Sequence, residues 1–280
     1  MAKKKSKPEK GSYREVIGEI DLLDFAREHY SRYGRSVLED RAFPDFRDGM
    51  NPVNRRTLWS AYSLGIRSNS KFVKSARIVG DVLGRYHPHG DASVYGAMVK
   101  MTNVNGVVSN IPIGLFEGEG NWGSLSNSAA AAMRYTEARL SKFSDEVLFN
   151  KFYMPVVRMI PNFDSSTVEP LILPALLPLV LLNGRFGIAP GATTNIPKLE
   201  PDGVFDVLRA AFKGEELTPK FLAKTLRLTS TFGGAEDESK ENMRSESRRE
   251  IFTSVRGSTN IVSPYDYDEK KRTMVFDGFA

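Results

Sequence analysis

The chain has 280 residues, enough to bury a hydrophobic core and to form one or two domains. Hydrophobic residues make up 41% of the sequence and charged residues 26%, which is typical of globular proteins and excludes a disordered chain. The absence of cysteine excludes disulfides, thiol catalysis and cysteine-ligated zinc and favours a cytoplasmic protein, while the net charge of +5 suits a polyanionic partner without identifying one.

The first 40 residues are predicted to form a basic tail and a helical arm. No apolar run follows the lysine-rich start MAKKKSKPEK, so it is not a secretory signal. Apolar residues at helical spacing between Val16 and Val37 predict one or two amphipathic helices.

Three short helices are predicted at 53–66, 71–85 and 91–102. The stretch RAFPDFRDGMNP precedes them, and its prolines and glycine predict a rigid loop. Short helices joined by tight turns and followed by extended chain are the outline of a helix-turn-helix with a wing.

A glycine-, asparagine- and serine-rich stretch follows up to residue 135, and a helix is predicted from Thr136 to Phe149. The run LILPALLPLVLL lies within the segment from Val168 to Ile188. Its continuous apolar part is shorter than the roughly 20 residues that a membrane-spanning helix needs, and prolines interrupt it. We therefore expect extended, buried chain and no membrane span.

Two amphipathic helices are predicted over 201–226, and a mobile, mixed-charge segment without apolar anchors over about 233–250. STNIV and RTMVFD, joined by the turn SPYDYDEKK, predict a terminal hairpin. The chain stops at Ala280 directly after a strand, and the sequence leaves open whether this is a natural end or a truncation. The predicted fold class is α+β.

Basic residues are concentrated over the predicted helix-turn-helix. They are Arg41, Arg47, Arg55, Arg56, Lys71, Lys74, Arg77, Arg85 and Lys100. Such a surface can neutralise phosphates, and Arg55, Arg56, Lys74 and Arg77 are the candidates for that contact. An ordinary solvated face is the alternative, and the residues alone leave both open.

Two histidines, His87 and His89, flank a proline between the second and third of these helices. A zinc site would need further ligands, and none lies nearby in the sequence. Hydrogen bonding to the backbone and hydrogen bonding to a phosphate both remain open.

Tyr135 follows Arg134 and a run of alanines. A tyrosine is usually a packing residue, and a pKa near 10 leaves about 0.1% of the phenol ionised at neutral pH. A nucleophilic tyrosine therefore needs cationic neighbours and a base or a metal. The sequence contains no evident carboxylate cluster for Mg²⁺, so a metal would come from elsewhere.

Five blocks in order resemble the A subunits of DNA gyrase and topoisomerase IV. They are RAFPDFRDGMNPVNRR, KSARIVGDVLGRYHPHGDASVYGAMVKM, EGEGNWGS, AAAMRYTEARL and LLNGRFGIAPGATTNIP. The resemblance implies a winged-helix breakage-reunion domain over 41–165, after the tail and arm of 1–40. It also implies the start of a tower-type α/β domain over 166–280.

The family cuts both DNA strands, holds each 5′ end as a phosphotyrosyl ester and passes another duplex through the gap. The resemblance implies that Tyr135 is the nucleophile and Arg134 its neighbour. The residues implied to line the scissile phosphate are Arg41, His87 and His89. Ile188 corresponds to the isoleucine that wedges between base pairs and bends the duplex.

The resemblance also implies partners. The family acts on double-stranded DNA as a homodimer within an A2B2-type assembly. Mg²⁺ comes from the Toprim domain of the B subunit. The B subunit also binds ATP. The location implied is the cytoplasm, at the nucleoid or in an infected host.

Some positions depart from the family pattern. Asn51 and Asn54 stand where the bacterial proteins have lysine and histidine, and Glu119 stands where they have glutamine. The phosphate pocket is therefore expected to be less cationic than in the family. A truncated, non-catalytic module that binds DNA or the B subunit is the alternative function.

Overall fold

The computed structural model describes residues 21–103, 113–123, 129–230, 235–236, 241–258, 260–263 and 265–276. Within these ranges the chain mixes helices with short strands, as the predicted α+β class requires. The predicted domain boundaries stay a prediction. Buried residues from Met50 to Leu228 belong to a continuous hydrophobic core.

Four helices make up the first part of the chain. They are α1 (Leu22–Val37), α2 (Pro52–Ser63), α3 (Ser75–Arg85) and α4 (Asp91–Met101). The Asp21 side chain caps α1 by accepting the backbone N–H groups of Leu23 and Asp24. Helices α2, α3 and α4 contact one another and bury Leu58, Val79 and Met98. The three helices predicted between residues 53 and 102 are confirmed.

A four-stranded sheet packs beside these helices. Its strands are β1 (Val73–Lys74), β2 (Thr102–Asn103), β3 (Phe116–Glu119) and β4 (Glu137–Leu140), in the order β1-β4-β3-β2. Strand β4 is antiparallel to both β1 and β3.

The helix predicted from Thr136 to Phe149 is wrong. Its first part is strand β4, in which Ala138 and Leu140 are buried and alternate with more exposed residues. This two-residue alternation matches pairing with β3. A single π-helical turn, Ser144–Leu148, follows.

The next segment contains two hairpins. Strands β5 (Met159–Pro161) and β6 (Val168–Pro170) form the first. After the short helix α5 (Leu179–Asn183), strands β7 (Arg185–Ala189) and β8 (Ala192–Ile196) form the second. Its turn contains Gly191, whose φ of +77° favours glycine.

The proline-rich run before β7 contains bends and the helix α5, so the expectation of extended chain is wrong over Leu179–Asn183. Leu173, Leu179 and Leu182 are buried, as expected, whereas Leu176 is 48% exposed. Among the described residues, no helix combines the length and apolar character needed to cross a membrane.

The last part combines three helices with short strands. The helices are α6 (Pro201–Phe212), α7 (Pro219–Thr225) and α8 (Glu241–Ser254). Strands β9 (Lys198–Leu199), β10 (Leu228–Thr229), β11 (Ala235–Glu236) and β12 (Ile261–Val262) form an antiparallel sheet. Helices α6 and α7 confirm the two helices predicted over 201–226.

The charged segment predicted to be mobile over 233–250 contains the first part of α8. Arg248 on α8 is buried and donates to the Leu226 carbonyl oxygen at 3.3 Å, so it attaches this part of the segment to the residue that follows α7. Residues 233–234 and 237–240 of the segment lie outside the described residues.

The terminal hairpin begins later than predicted. Strand β13 (Tyr265–Asp268) pairs with β14 (Thr273–Phe276), while β12, within the predicted first strand, pairs with β11. Asp268 decides this register because its side chain accepts the backbone N–H groups of Lys270 and Lys271 and closes the turn.

Candidate nucleic-acid interface and nucleophile

The turn between α3 and α4 holds the two histidines. His87 is buried, whereas His89 is exposed, and their rings meet edge to face with centroids 4.5 Å apart. Nη1 of Arg56 lies 3.1 Å from Nδ1 of His87. A guanidinium group only donates, so Nδ1 is the acceptor and the ring proton is on Nε2. His87 therefore presents an N–H donor.

The pKa of His87 is lowered to about 4, first by burial and then by the charges of His89, Arg56 and Arg41. His87 is thus neutral at neutral pH. Its part in phosphate binding would be a neutral hydrogen bond, and positive charge would have to come from its neighbours.

We expect the free energy of unfolding to fall as the pH drops from about 6.5 to about 4. Over this range His87 binds a proton in the unfolded chain but not in the folded one, so acid favours the unfolded state. Urea unfolding at a series of pH values should show that His87→Gln removes this contribution. His29→Gln, on the exposed face of α1, should retain it. Equal acid sensitivity of wild type and His87→Gln would contradict the assignment.

Arg41 lies on a π-helical turn, Leu38–Ala42, that follows α1. The Arg41 side chain is exposed. Its backbone carbonyl oxygen accepts from Nδ2 of Asn51 at 3.2 Å. Strand β7 packs against this turn. A Cβ atom at Gly187 would collide with the Ala42 carbonyl oxygen, so only glycine allows this approach. The fold thus brings Arg41, the histidine turn and the Ile188 hairpin into one region.

Tyr135 lies in the loop before β4, with 63% of its surface exposed. The guanidinium carbon of Arg134 is 4.7 Å from the centre of its ring. The backbone N–H of Tyr135 donates to the Ala132 carbonyl oxygen at 2.8 Å. Among the described residues, no hydrogen bond or ion pair joins Tyr135 to Arg41, His87 or His89.

Buried hydroxyl groups beside Tyr135 hold its loop in place. Oγ1 of Thr136 is 2.8 Å from Oγ of Ser75 and 2.8 Å from the Tyr95 hydroxyl. The Tyr95 hydroxyl also bonds to the Ala131 carbonyl oxygen at 2.7 Å. The loop is therefore attached to the first residue of α3 and to α4. Sequence reasoning missed Thr136, because a single threonine after a tyrosine carries no distinctive signal.

Two arginines predicted to bind DNA instead form internal ion pairs. Arg55 is buried, and its Nε lies 2.6 Å from Oδ2 of Asp48. Arg56 pairs with Glu169 through Nη2 and Oε1 at 2.7 Å, and a further bond joins its Nε to Oε2 at 2.9 Å. Arg55 therefore faces Asp48 inside the fold, and its contact with a phosphate stays a prediction. Arg56 faces Glu169 and His87, so it holds His87 in place.

The other two predicted contacts remain at the surface. Nζ of Lys74 lies 2.7 Å from Oε1 of Glu137, and its side chain is 57% exposed. Arg77 is exposed on α3. Contact of either residue with a phosphate stays a prediction.

Arg185 at the start of β7 joins this strand to the loop before α2 and to α2 itself, and sequence reasoning missed it. Its Nε donates to the Gly49 carbonyl oxygen at 2.9 Å. With the Asn54 side-chain amide oriented so that its oxygen faces Arg185, that oxygen accepts from Nη1 of Arg185 at 2.9 Å and from Nη2 at 2.8 Å. Burial lowers the pKa of Arg185 to about 10, so it stays charged at neutral pH. A lone arginine within LLNGRFGIAPG is the signal that could have identified it.

A cleft of about 840 Å³ separates α4 from the base of the β7–β8 hairpin. Ala92, Gly96 and Lys100 line it on one side, and Phe186 and Asn195 on the other. Asn51 and Asn54 also line the cleft, so amide groups stand where the family pattern predicts cations. Within the described part of the chain, no group of three or more His, Asp or Glu side chains could hold a metal ion.

Comparison with known proteins identifies relatives. The family model of the DNA gyrase/topoisomerase IV A subunit matches residues 41–277. The chain is 44% identical over 201 residues to the A subunit of DNA topoisomerase 4 from Staphylococcus epidermidis, which covers 71% of this chain and 24% of that protein. It is 48% identical over 185 residues to the A subunit of DNA gyrase from Dehalogenimonas lykanthroporepellens, covering 65% of this chain and 22% of the relative.

The chain thus spans about a quarter of the length of these curated relatives. The matched residues include Arg41, both histidines of the turn between α3 and α4, Tyr135 and the β7–β8 hairpin. With this match over most of its length, the chain belongs to the family of DNA gyrase and topoisomerase IV A subunits.

Proposed function

We propose that this chain is the DNA-cleaving part of a type IIA topoisomerase and that Tyr135 is its nucleophile. The observation that carries the proposal is the exposed Tyr135 ring beside the Arg134 guanidinium, on a loop that buried hydroxyl groups hold in place. In this proposal, helices α2 to α4 and the sheet β1-β4-β3-β2 form a winged-helix domain. Residues from 166 onward begin a tower domain.

The proposed reaction exchanges one phosphodiester for another. Oη of Tyr135 attacks the DNA phosphorus and loses its proton, the bond from phosphorus to the 3′ oxygen breaks, and that oxygen takes up a proton. A 5′-phosphotyrosyl ester and a free 3′ hydroxyl result, so resealing requires only the reverse step.

Residues of this chain have distinct parts in the proposal. The Arg134 guanidinium lies 4.7 Å from the centre of the Tyr135 ring and places positive charge beside the phosphate that Tyr135 attacks. Arg41 and His89 stabilise the charge on the phosphate, and neutral His87 donates from Nε2 to a phosphate oxygen. Ile188, which is 64% exposed on β7, is the wedge that bends the duplex.

The described residues do not provide a metal site, so no step is assigned to a metal held by this chain. We propose that the Toprim domain of a B subunit supplies Mg²⁺. The B subunit also binds ATP in this proposal. The working assembly would be an A2B2-type complex in which two copies of this chain act on double-stranded DNA.

The test is to trap and locate the covalent bond. The chain is mixed with a B subunit, Mg²⁺ and duplex DNA, then denatured and digested with nuclease and trypsin. Cleavage after Arg134 and Arg139 yields the peptide Tyr135–Arg139, whose single tyrosine is Tyr135. Mass spectrometry should find this peptide carrying a 5′-linked nucleotide. DNA binding without any adduct would instead identify a non-catalytic DNA-binding module.

A further inference from the structure

We propose that the outward face of the β7–β8 hairpin reads the minor groove of DNA and that Phe186 is a second residue that distorts the duplex. The inference rests on the proposed function, which assigns DNA distortion to Ile188 alone. The inference adds Phe186 to the residues that distort DNA, and it gives a physical reason for a DNA sequence preference.

The hairpin exposes one face with a regular composition. Phe186 is 67% exposed and Ile188 is 64% exposed, and both lie on the same face because they are two residues apart in β7. Across the hairpin, Phe186 pairs with Asn195 and Ile188 with Thr193, and both of these polar residues are also exposed. The face thus carries two apolar side chains, each opposite a hydrogen-bonding one.

The opposite face holds the hairpin firmly from behind. Arg185 is bonded to the Gly49 carbonyl oxygen, Gly187 packs against the Ala42 carbonyl oxygen, and Ala189 is buried. Because the inward residues are fixed, Phe186 cannot turn into the core without breaking the hairpin register. The aromatic ring therefore stays on the outward face, where a partner can cover it.

The chemistry of this face fits a DNA minor groove. Apolar wedges between base pairs are characteristic of minor-groove proteins. The minor groove presents acceptor atoms at every base pair, to which the Asn195 amide and the Thr193 hydroxyl can donate. Lys100 lines the same cleft as Phe186 and Asn195, and Arg41 lies on the turn that supports β7, so positive charge flanks the face.

The spacing of the two apolar side chains also agrees with this partner. Residues two apart in a strand are separated by roughly 6.6 Å. Base pairs in a duplex follow one another every 3.4 Å or so. Phe186 and Ile188 therefore match positions about two base steps apart. Insertion is easiest at flexible pyrimidine–purine steps, so a pair of such steps at this spacing should be preferred.

The experiment locates unstacked bases in bound DNA. The chain, assembled with a B subunit without Mg²⁺, is bound to a duplex whose occupied centre is found by footprinting. The fluorescent base 2-aminopurine is placed in turn at each step. Wild type should raise the fluorescence at two steps on each side of the occupied centre, one pair of steps for each copy of the chain. Phe186→Ala should remove one signal and Ile188→Ala the other.

Matched variants separate a wedge from a general loss of contact. Phe186→Ala should weaken DNA binding by roughly 5- to 100-fold, as for the loss of one base–aromatic contact. Phe212→Ala removes an aromatic ring that is 90% exposed at the end of α6 and should keep both signals. Phe186→Ala with the wild-type fluorescence pattern would overturn the inference.

The outcomes also distinguish this inference from the proposed function. A wild-type chain that forms the Tyr135 adduct but gives only the Ile188 signal refutes the role of Phe186 and leaves the nucleophile in place. A chain that gives both signals but never forms an adduct supports the proposed role of the outward hairpin face and contradicts the proposal that Tyr135 is a nucleophile. A chain that does not bind DNA overturns both.

Discussion

Replacing Tyr135 by phenylalanine is expected to abolish covalent attachment to DNA while leaving DNA affinity within a few fold. The change removes only Oη, the atom proposed to attack phosphorus. The ring is 63% exposed and Arg134 lies over it, so neither the core nor this cation–ring contact is lost. Removal of a covalent nucleophile lowers turnover by roughly 10⁶-fold in enzymes where it has been measured. Adducts should therefore be undetectable.

The measurement is the fraction of labelled DNA that stays bound to protein after denaturation, in the presence of Mg²⁺ and a B subunit. Tyr153→Phe is a suitable control, because Tyr153 is also partly exposed and lies outside the proposed site. It should form adducts at the wild-type level. Persistence of adducts in Tyr135→Phe would move the nucleophile to another residue.

Replacing Arg55 by alanine is expected to lower the free energy of unfolding by about 3–5 kcal/mol, the usual result of removing one partner of a buried ion pair. Asp48 is fully buried, and its carboxylate accepts from Nε and Nη2 of Arg55 at 2.6 and 3.0 Å. It also accepts from the backbone N–H groups of Met50 and Leu173. The variant would leave this charge buried without its counterion.

The same loop offers a matched control. Arg47 pairs with Asp45 at 2.8 Å, but its side chain is 55% exposed. Arg47→Ala should therefore cause a much smaller loss of stability, because solvent weakens exposed ion pairs. Urea unfolding measures both variants. Equal losses would show that burial of the Asp48–Arg55 pair does not determine its contribution.

Much of the local structure follows from local sequence. Helices α2, α3 and α4 could be predicted because helical periodicity and helix-breaking residues act over a few neighbouring positions. The resemblance of five ordered blocks to the gyrase and topoisomerase IV A subunits likewise needed only the sequence. It implied the roles of Tyr135, Arg41 and the histidine turn.

Strand β4 shows where local patterns were insufficient. Residues 137–140, Glu-Ala-Arg-Leu, suit a helix by their intrinsic propensities. They form a strand because β1 and β3 lie on either side and supply the hydrogen bonds. Pairing with distant residues therefore overrode the local preference.

The role of each arginine was decided only by the tertiary structure. The sequence indicated a concentration of positive charge over 41–100, which favours a polyanion. The fold pairs Arg55 with Asp48 and Arg56 with Glu169, which is 113 residues away from Arg56. It also places Arg185 against Asn54. A charged side chain binds whichever opposite charge or carbonyl the fold brings near, and that neighbour can come from any part of the chain.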